Sequence, residues 1–174
     1  MQVTVQITKV KDFAEIRECP TTGSKSLHAT AEFMPGQFIH NFGPKEVLDR
    51  PNYLSVQISD HQHIMLDPEF LQYINHSCDP NVCFDTKNMV VRALRKIEIG
   101  EEFTFFYPST EWSMDRGFDC MCGSENCLEY IQGAAHLPLE VLKNYQLSEY
   151  IEQKLAISPA ASKKGDFEVD NFTS

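Results

Sequence analysis

The chain has 174 residues, six of them cysteine, with 42% hydrophobic and 23% charged residues and a formal net charge of −10. That length and balance suit one globular domain with a real core plus small additions. No lysine- or arginine-rich block supplies a phosphate footprint, which argues against direct nucleic-acid binding, and no run of about 18 apolar residues is present to span a membrane.

The opening M-Q-V-T-V-Q-I-T-K-V lacks the basic n-region and apolar h-region of a signal peptide. The expectation is an intracellular chain, cytoplasmic or nuclear, with its cysteines reduced. The acidic surface suits basic partners. Val3, Val5 and Ile7 alternate with polar residues and predict a first strand. Gly23–Ala29 reads as a small-residue loop. Pro35-Gly36 turns into a strand over Phe38–Phe42, and Tyr53–Ile58 predicts another. Asp60–His63 reads as a hairpin turn with Ile64–Leu66 returning. Asp67-Pro68 predicts an N-cap and first turn of a short helix to about Ile74. Val82–Phe84 and Met89–Leu94 form a pair around D-T-K-N, and Phe103–Tyr107 is a strand rich in aromatics. After Pro108 the composition shifts. Glu111–Gly133 is irregular, Pro138–Tyr145 is helical, and Ser148 caps a second helix with Leu147, Ile151 and Leu155 on one face. The boundaries are therefore a main domain over 1–110, a cysteine-bearing segment over 111–133, a helical segment over 134–157 and a flexible tail over 158–174. The fold class is mainly β with short helices, and no βαβ alternation or G-x-G-x-x-G supports a doubly wound sheet.

Two stretches carry chemistry. Tyr73–Val82 reads Y-I-N-H-S-C-D-P-N-V, a polar run between strand-like segments. Such a run needs hydrogen-bond partners or ligands if buried, and Pro80 keeps it out of a helix interior or central strand. A surface turn is the plain alternative. The second stretch is D-C-M-C-G-S-E-N-C, in which Cys120, Cys122 and Cys127 fall within eight residues. Close, reduced thiols point to metal, and Gly123 lets the backbone fold round one tetrahedral ion. A structural zinc wants a fourth ligand from Cys19, Cys78, Cys83 or a histidine. Cys78, already in the polar run, leads.

N-H-S-C-D-P-N, A-L-R-K-I-E-I-G-E-E-F-T-F-F-Y and C-M-C-G-S-E-N-C, in that order, resemble SET-domain protein lysine methyltransferases with a post-SET zinc motif. The resemblance covers roughly Gly23–Cys127. It implies small curved β-sheets with a knot-like crossing of the C-terminal segment, a zinc-stapled post-SET segment over 111–133 and C-terminal helices. It implies S-adenosylmethionine on one face and a protein or peptide lysine on the other, joined by a narrow channel. By position, Lys25, Ser26, Leu27, Asn75, His76 and Phe118 would meet the donor, the first three mainly through backbone. Tyr107 would be catalytic. Tyr53 and Phe105 would line the lysine channel. Cys78, Cys120, Cys122 and Cys127 would hold one structural zinc. The chain departs from the family at Ser24–Leu27, where G-x-G-L is usual, and at Phe106, where Asp is common. Two other readings fit the same residues: a zinc-stapled binding module without catalysis, and a methyltransferase for a small-molecule amine.

Overall fold

A computed structural model describes residues 4–158, so Val3 and tail residues 159–174 lie outside the described residues. Thirteen short strands and two helices occur among them. Three three-stranded sheets hold nine of the thirteen strands. The first is β1 (Gln6–Lys11), β2 (Ala14–Glu18) and β3 (Lys25–Ala29), paired antiparallel in that order. The second is β5 (Gly43–Leu48), β7 (Gln62–Asp67) and β6 (Val56–Ser59), with β7 in the middle. The third is β4 (Phe38–Asn41), β10 (Val90–Ala93) and β9 (Val82–Asp85), with β10 central. Two small pairs complete the set: β8 (Asn75–His76) with β11 (Thr104–Phe105), and β12 (Phe118–Asp119) with β13 (Tyr130–Ile131).

The β8–β11 pair is parallel, so the chain must leave the sheet and return before the two can meet. Residues 102–105 run between β3 and the polar run. Phe103 N–H donates to Leu27 O on one side, while Ser77 and Asn81 N–H donate to Phe105 and Thr104 O on the other. Asn81 is fully buried and holds this crossing with its side chain: Nδ2 donates to Glu101 Oε1 and Glu102 O, and Oδ1 accepts from Thr104 N–H. Part of the polarity at 75–81 is therefore structural, since it satisfies backbone that no regular sheet would pair.

Two apolar clusters sit either side of this crossing, and adjacent residues divide between them. Phe105 belongs to the main core with Leu27, Ile74, Phe84 and Phe103. Phe106 belongs to a second core with Ala134, Leu142 and Ile151, against which Trp112, Leu147 and Leu155 pack. In this extended segment alternate side chains point to opposite faces. Phe106 stacks on Tyr145, ring centroids 3.6 Å apart and planes within 6°. The residue standing in place of the usual Asp thus seats the C-terminal helices. Gly133 lets that segment close in: its φ is +116°, and a Cβ there would lie 2.6 Å from Trp112 O.

Several expectations need correction. Gly23–Ala29 is not all loop, because Lys25–Ala29 forms β3, and neither its partner β2 nor β5 was anticipated. In β2 the apolar alternation stops after Ala14 and Ile16, and β5 is mostly exposed, so neither gives a sustained apolar pattern. The strand expected from Tyr53 starts at Val56. The turn after Asp67 is a 3-10 turn over Glu69–Tyr73 with no side-chain cap. The strand expected over Phe103–Tyr107 is only β11, and Tyr107 opens a 3-10 turn ending at Ser109. The 138–145 helix is a single turn, α1 (Leu139–Leu142). The second helix, α2 (Glu149–Ile157), starts where expected, with Ser148 Oγ accepting from Ile151 N–H.

Candidate active site and metal centre

The Sγ atoms of Cys78, Cys120, Cys122 and Cys127 lie within 4.8 Å of one another, with Cys78 and Cys120 3.9 Å apart. Four sulfurs around a tetrahedral zinc at about 2.3 Å would stand about 3.8 Å apart, so the donor set fits that ion. Leu128 N–H donates to Cys78 Sγ at 3.4 Å, and the Ser124 hydroxyl sits 3.3 Å from Cys122 Sγ. Such donors suit thiolate sulfur. Burial holds the Cys78 and Cys120 thiols above the usual range; at Cys122 burial acts the same way, but hydrogen bonds, those from Ser124 foremost, outweigh it and hold that thiol below the usual range. The hairpin β12–β13 and Gly123, at φ +72°, bring the three distal cysteines round to Cys78.

His76 joins this cluster to Tyr107. Its Nδ1 accepts from Tyr107 N–H at 3.1 Å, so the ring hydrogen lies on Nε2, 3.4 Å from Cys78 Sγ. Burial pushes the imidazole down to about 4, which keeps it neutral. Its ring is flanked by Phe106, Tyr107 and Phe118, with centroids 5.2–5.7 Å away. Both ring nitrogens of His76 thus have partners within the protein.

Two hollows meet at Tyr107. The larger, about 730 Å³, is an open cleft bordered by Ser24, Lys25, Asn75, His76, Glu102 and the cysteine-bearing segment at 118–122. Asn75 Nδ2 donates to Lys25 O at 3.1 Å and Glu102 Oε1 at 2.9 Å, tying β8 to the end of β3. Of the three β3 residues singled out, only Lys25 borders this cleft. Ser26 Oγ turns to Arg17 O and His28, and Leu27 is buried in the core.

The smaller hollow, about 220 Å³, is largely apolar and lies between β6, the loop before it and residues 111–118. Val56, Phe105 and Leu71 form its wall, and Tyr53, 84% exposed, stands at its mouth. Tyr107 and Phe118 border both hollows. The Tyr107 hydroxyl donates to Ile74 O at 3.5 Å. Burial, with Glu111 and Glu102 nearby, raises its pKa, so it stays a hydrogen-bond donor. Phe105 and Tyr107 rings lie 4.7 Å apart.

Sequence reasoning missed Glu111, which also borders the small cavity. It is buried, and Oε1 accepts from Gln57 N–H at 2.9 Å and the Thr110 hydroxyl at 3.0 Å. Burial pushes the carboxyl up to about 7 against those two bonds. A lone Glu in P-S-T-E-W gives no such signal, because Gln57 and Tyr150, which complete its surroundings, are remote in sequence.

The SET domain family model matches residues 24–108. Among similar proteins, methyltransferase flvH of Aspergillus flavus is 42% identical over 109 residues, covering 62% of this chain and 61% of the relative. An H3 lysine-36 specific histone-lysine N-methyltransferase of Candida albicans is 32% identical over 98 residues, covering 53% of this chain and 11% of the relative. An H3 lysine-4 specific histone-lysine N-methyltransferase of Emericella nidulans is 39% identical over 67 residues, covering 34% and 6%. The chain thus spans at most about 61% of these relatives' lengths. A solved structure, "crystal structure of KRYPTONITE in complex with mCHG DNA and SAH", aligns at 21% identity and TM-score 0.48, over 61% of this chain and 26% of that one. By this match residues 24–108 form a SET domain, and the segment just after it supplies three of the four clustered thiols.

Proposed function

We propose that the chain transfers methyl groups from S-adenosylmethionine to the ε-amine of a protein lysine. The observation that carries this is the pair of unlike hollows, one large, open and of mixed polarity, one small and mostly apolar, sharing Tyr107 and Phe118. The names of the relatives, a methyltransferase and two histone-lysine N-methyltransferases, support the same reaction class. The donor supplies an electrophilic methyl group. Lys25 and Asn75 would hold it in the large cleft, with the His76 backbone and the Phe118 ring. Ser26 and Leu27 would act through the strand that presents Lys25. The lysine would enter past Tyr53 and lie along Phe105. Free lysine has a pKa of about 10.4, so about one molecule in a thousand is neutral near pH 7.4. An apolar cavity favours that neutral form. The Tyr107 hydroxyl would orient the amine, and positioning would supply most of the acceleration. One zinc on the four thiolates would hold the Phe118 wall in place.

The acidic chain suits a substrate lysine in basic surroundings. Among the described residues no helix is long and apolar enough to cross a membrane. An intracellular setting, cytoplasm or nucleus, goes with this reading, and the names of the two histone-lysine N-methyltransferase relatives support it. A small-molecule amine is the second reading, favoured by the general name of the flvH relative and the modest size of the cavity. A non-catalytic module is favoured only by Ser24 and Ser26 standing where the family has glycine.

The deciding experiment is mass spectrometry of protein, peptide and small-amine mixtures incubated with the chain and isotope-labelled S-adenosylmethionine. Label on lysine is the expected result. Label on small amines alone moves the acceptor class. No label, together with no thermal shift at millimolar donor, leaves the binding module.

A further inference from the structure

Buried in the acceptor cavity is one carboxyl that neither the zinc centre nor the donor cleft uses. Glu111 Oε1 is held by Gln57 N–H and the Thr110 hydroxyl, whereas Oε2 takes no hydrogen bond from the described residues. The residue borders the cavity, and its charge is felt at the Tyr107 hydroxyl. An ionised carboxylate in so apolar a place is costly unless a cation meets it. The cavity, about 220 Å³ and mostly apolar in its lining, has the volume for a short alkyl chain.

We propose that Glu111 is the amine-recognition group of this cavity, drawing in an aliphatic ammonium and taking its proton to leave a neutral amine beside Tyr107. This rests on the reading that the cavity accepts an amine. In the step itself one N–H bond breaks and its electron pair stays on nitrogen as the lone pair. The proton forms an O–H bond with Oε2, and the resulting carboxylic acid later releases it to water at the mouth near Tyr53. A neutral acid–amine pair costs less to hold away from water than two stripped charges. The carboxyl titrates at about 7, so it carries its charge above that pH and loses it below. The other charged and titratable groups around it are Tyr107 on the preceding turn, Tyr150 from α2, and Asp115 and Arg116 along the same cavity. Glu102 acts from behind Tyr107.

The test needs no methyl donor. Binding of n-butylammonium and of 1-butanol to the full chain is compared by calorimetry. Near pH 8.5 the cation should bind about tenfold more tightly, the worth of one charge-assisted hydrogen bond. Near pH 5.5 the preference should vanish. Glu111→Gln keeps an oxygen for Gln57 and Thr110 but should show no preference at either pH. Asp115→Asn should keep it. No preference in the wild type at pH 8.5, its survival in Glu111→Gln, or its loss in Asp115→Asn overturns the proposal. If Glu111→Gln fails to fold, the wild-type pH comparison still decides. Ammonium preference without donor binding would sink the transferase reading alone, and methyl transfer without ammonium preference would sink this one alone.

Discussion

The cleft and the cavity on either side of Tyr107 share two side chains and little else. The cleft is assembled from short contiguous motifs, with 75–77, 102–107 and 118–122 supplying most of its border. Its polar groups are already engaged with one another, as in the Asn75–Lys25–Glu102 and His76–Cys78 contacts. The cavity draws instead on the loop at 51–55, β6, β7 and residues 111–118, and keeps one carboxyl oxygen without a hydrogen-bond partner among the described residues. The contrast teaches that a large, open site can be bordered by local motifs, whereas a small, mostly apolar one needs walls from distant elements, because only packing encloses apolar space.

The sharpest way to break the contrast is at the residue both hollows share. Tyr107→Phe should lower turnover on the order of 10²–10³-fold by removing one preorganised donor. Its hydroxyl makes only a 3.5 Å bond to Ile74 O, so melting point and zinc content should stay at wild-type values. Steady-state turnover and a thermal melt check this, and wild-type turnover would place the chemistry elsewhere.

Cys122→Ser comes next. It should take zinc from about one per chain to none and lower the melting midpoint by about 10 °C. The wall of the cleft at Phe118 and Cys120 should loosen more than the β6 wall of the cavity. Elemental analysis and hydrogen exchange over 118–131 read both effects. Equal loosening of β6 would mean the hollows are not built independently.

Glu111→Gln sharpens the comparison through stability. The folded carboxyl sits at about 7 against an ordinary 4.5. For an acid with a raised folded pKa, ionisation destabilises the fold: the penalty is complete above pH 7 and fades as pH falls toward 4.5. At about 1.4 kcal/mol per pH unit the ceiling is about 3 kcal/mol. The variant should therefore unfold at higher denaturant than wild type at pH 8.5 and at the same denaturant near pH 4.5. A gain that is independent of pH would contradict a buried, ionising Glu111.

Asn75→Ala tests the cleft alone. It removes two hydrogen bonds and should weaken S-adenosylmethionine about tenfold by calorimetry, with n-butylammonium binding unchanged. The smallest effect is expected at Phe105, whose ring is 4.7 Å from that of Tyr107. Phenylalanine offers no hydroxyl to hold a water in the space a methylated amine would need. Wild type should add two or three methyl groups, and Phe105→Tyr should shift products toward one, with turnover changed less than about threefold. A time course of product masses that is identical in the two proteins would discount this.

The sequence by itself determined the mainly β class and three of the four clustered thiols, and it pointed to Cys78 and the motifs that border the cleft. Thiols within eight residues and a polar run between strands constrain geometry before any packing is known. The Ser148 cap was legible for the same reason, since it acts within one helical turn. Only the tertiary structure decided the rest. It made Lys25–Ala29 a strand by pairing it with β2 and turned Ser26 and Leu27 away from the cleft. It reserved the His76 ring for Tyr107 and Cys78, spent Asn81 on the β11 crossing, and sent Phe106 to Tyr145. Glu111 became unusual only because Gln57, Thr110 and the walls of the cavity closed round it. Burial is a property of many remote residues at once, and a pKa raised by burial leaves no mark on the residue's neighbours in the chain.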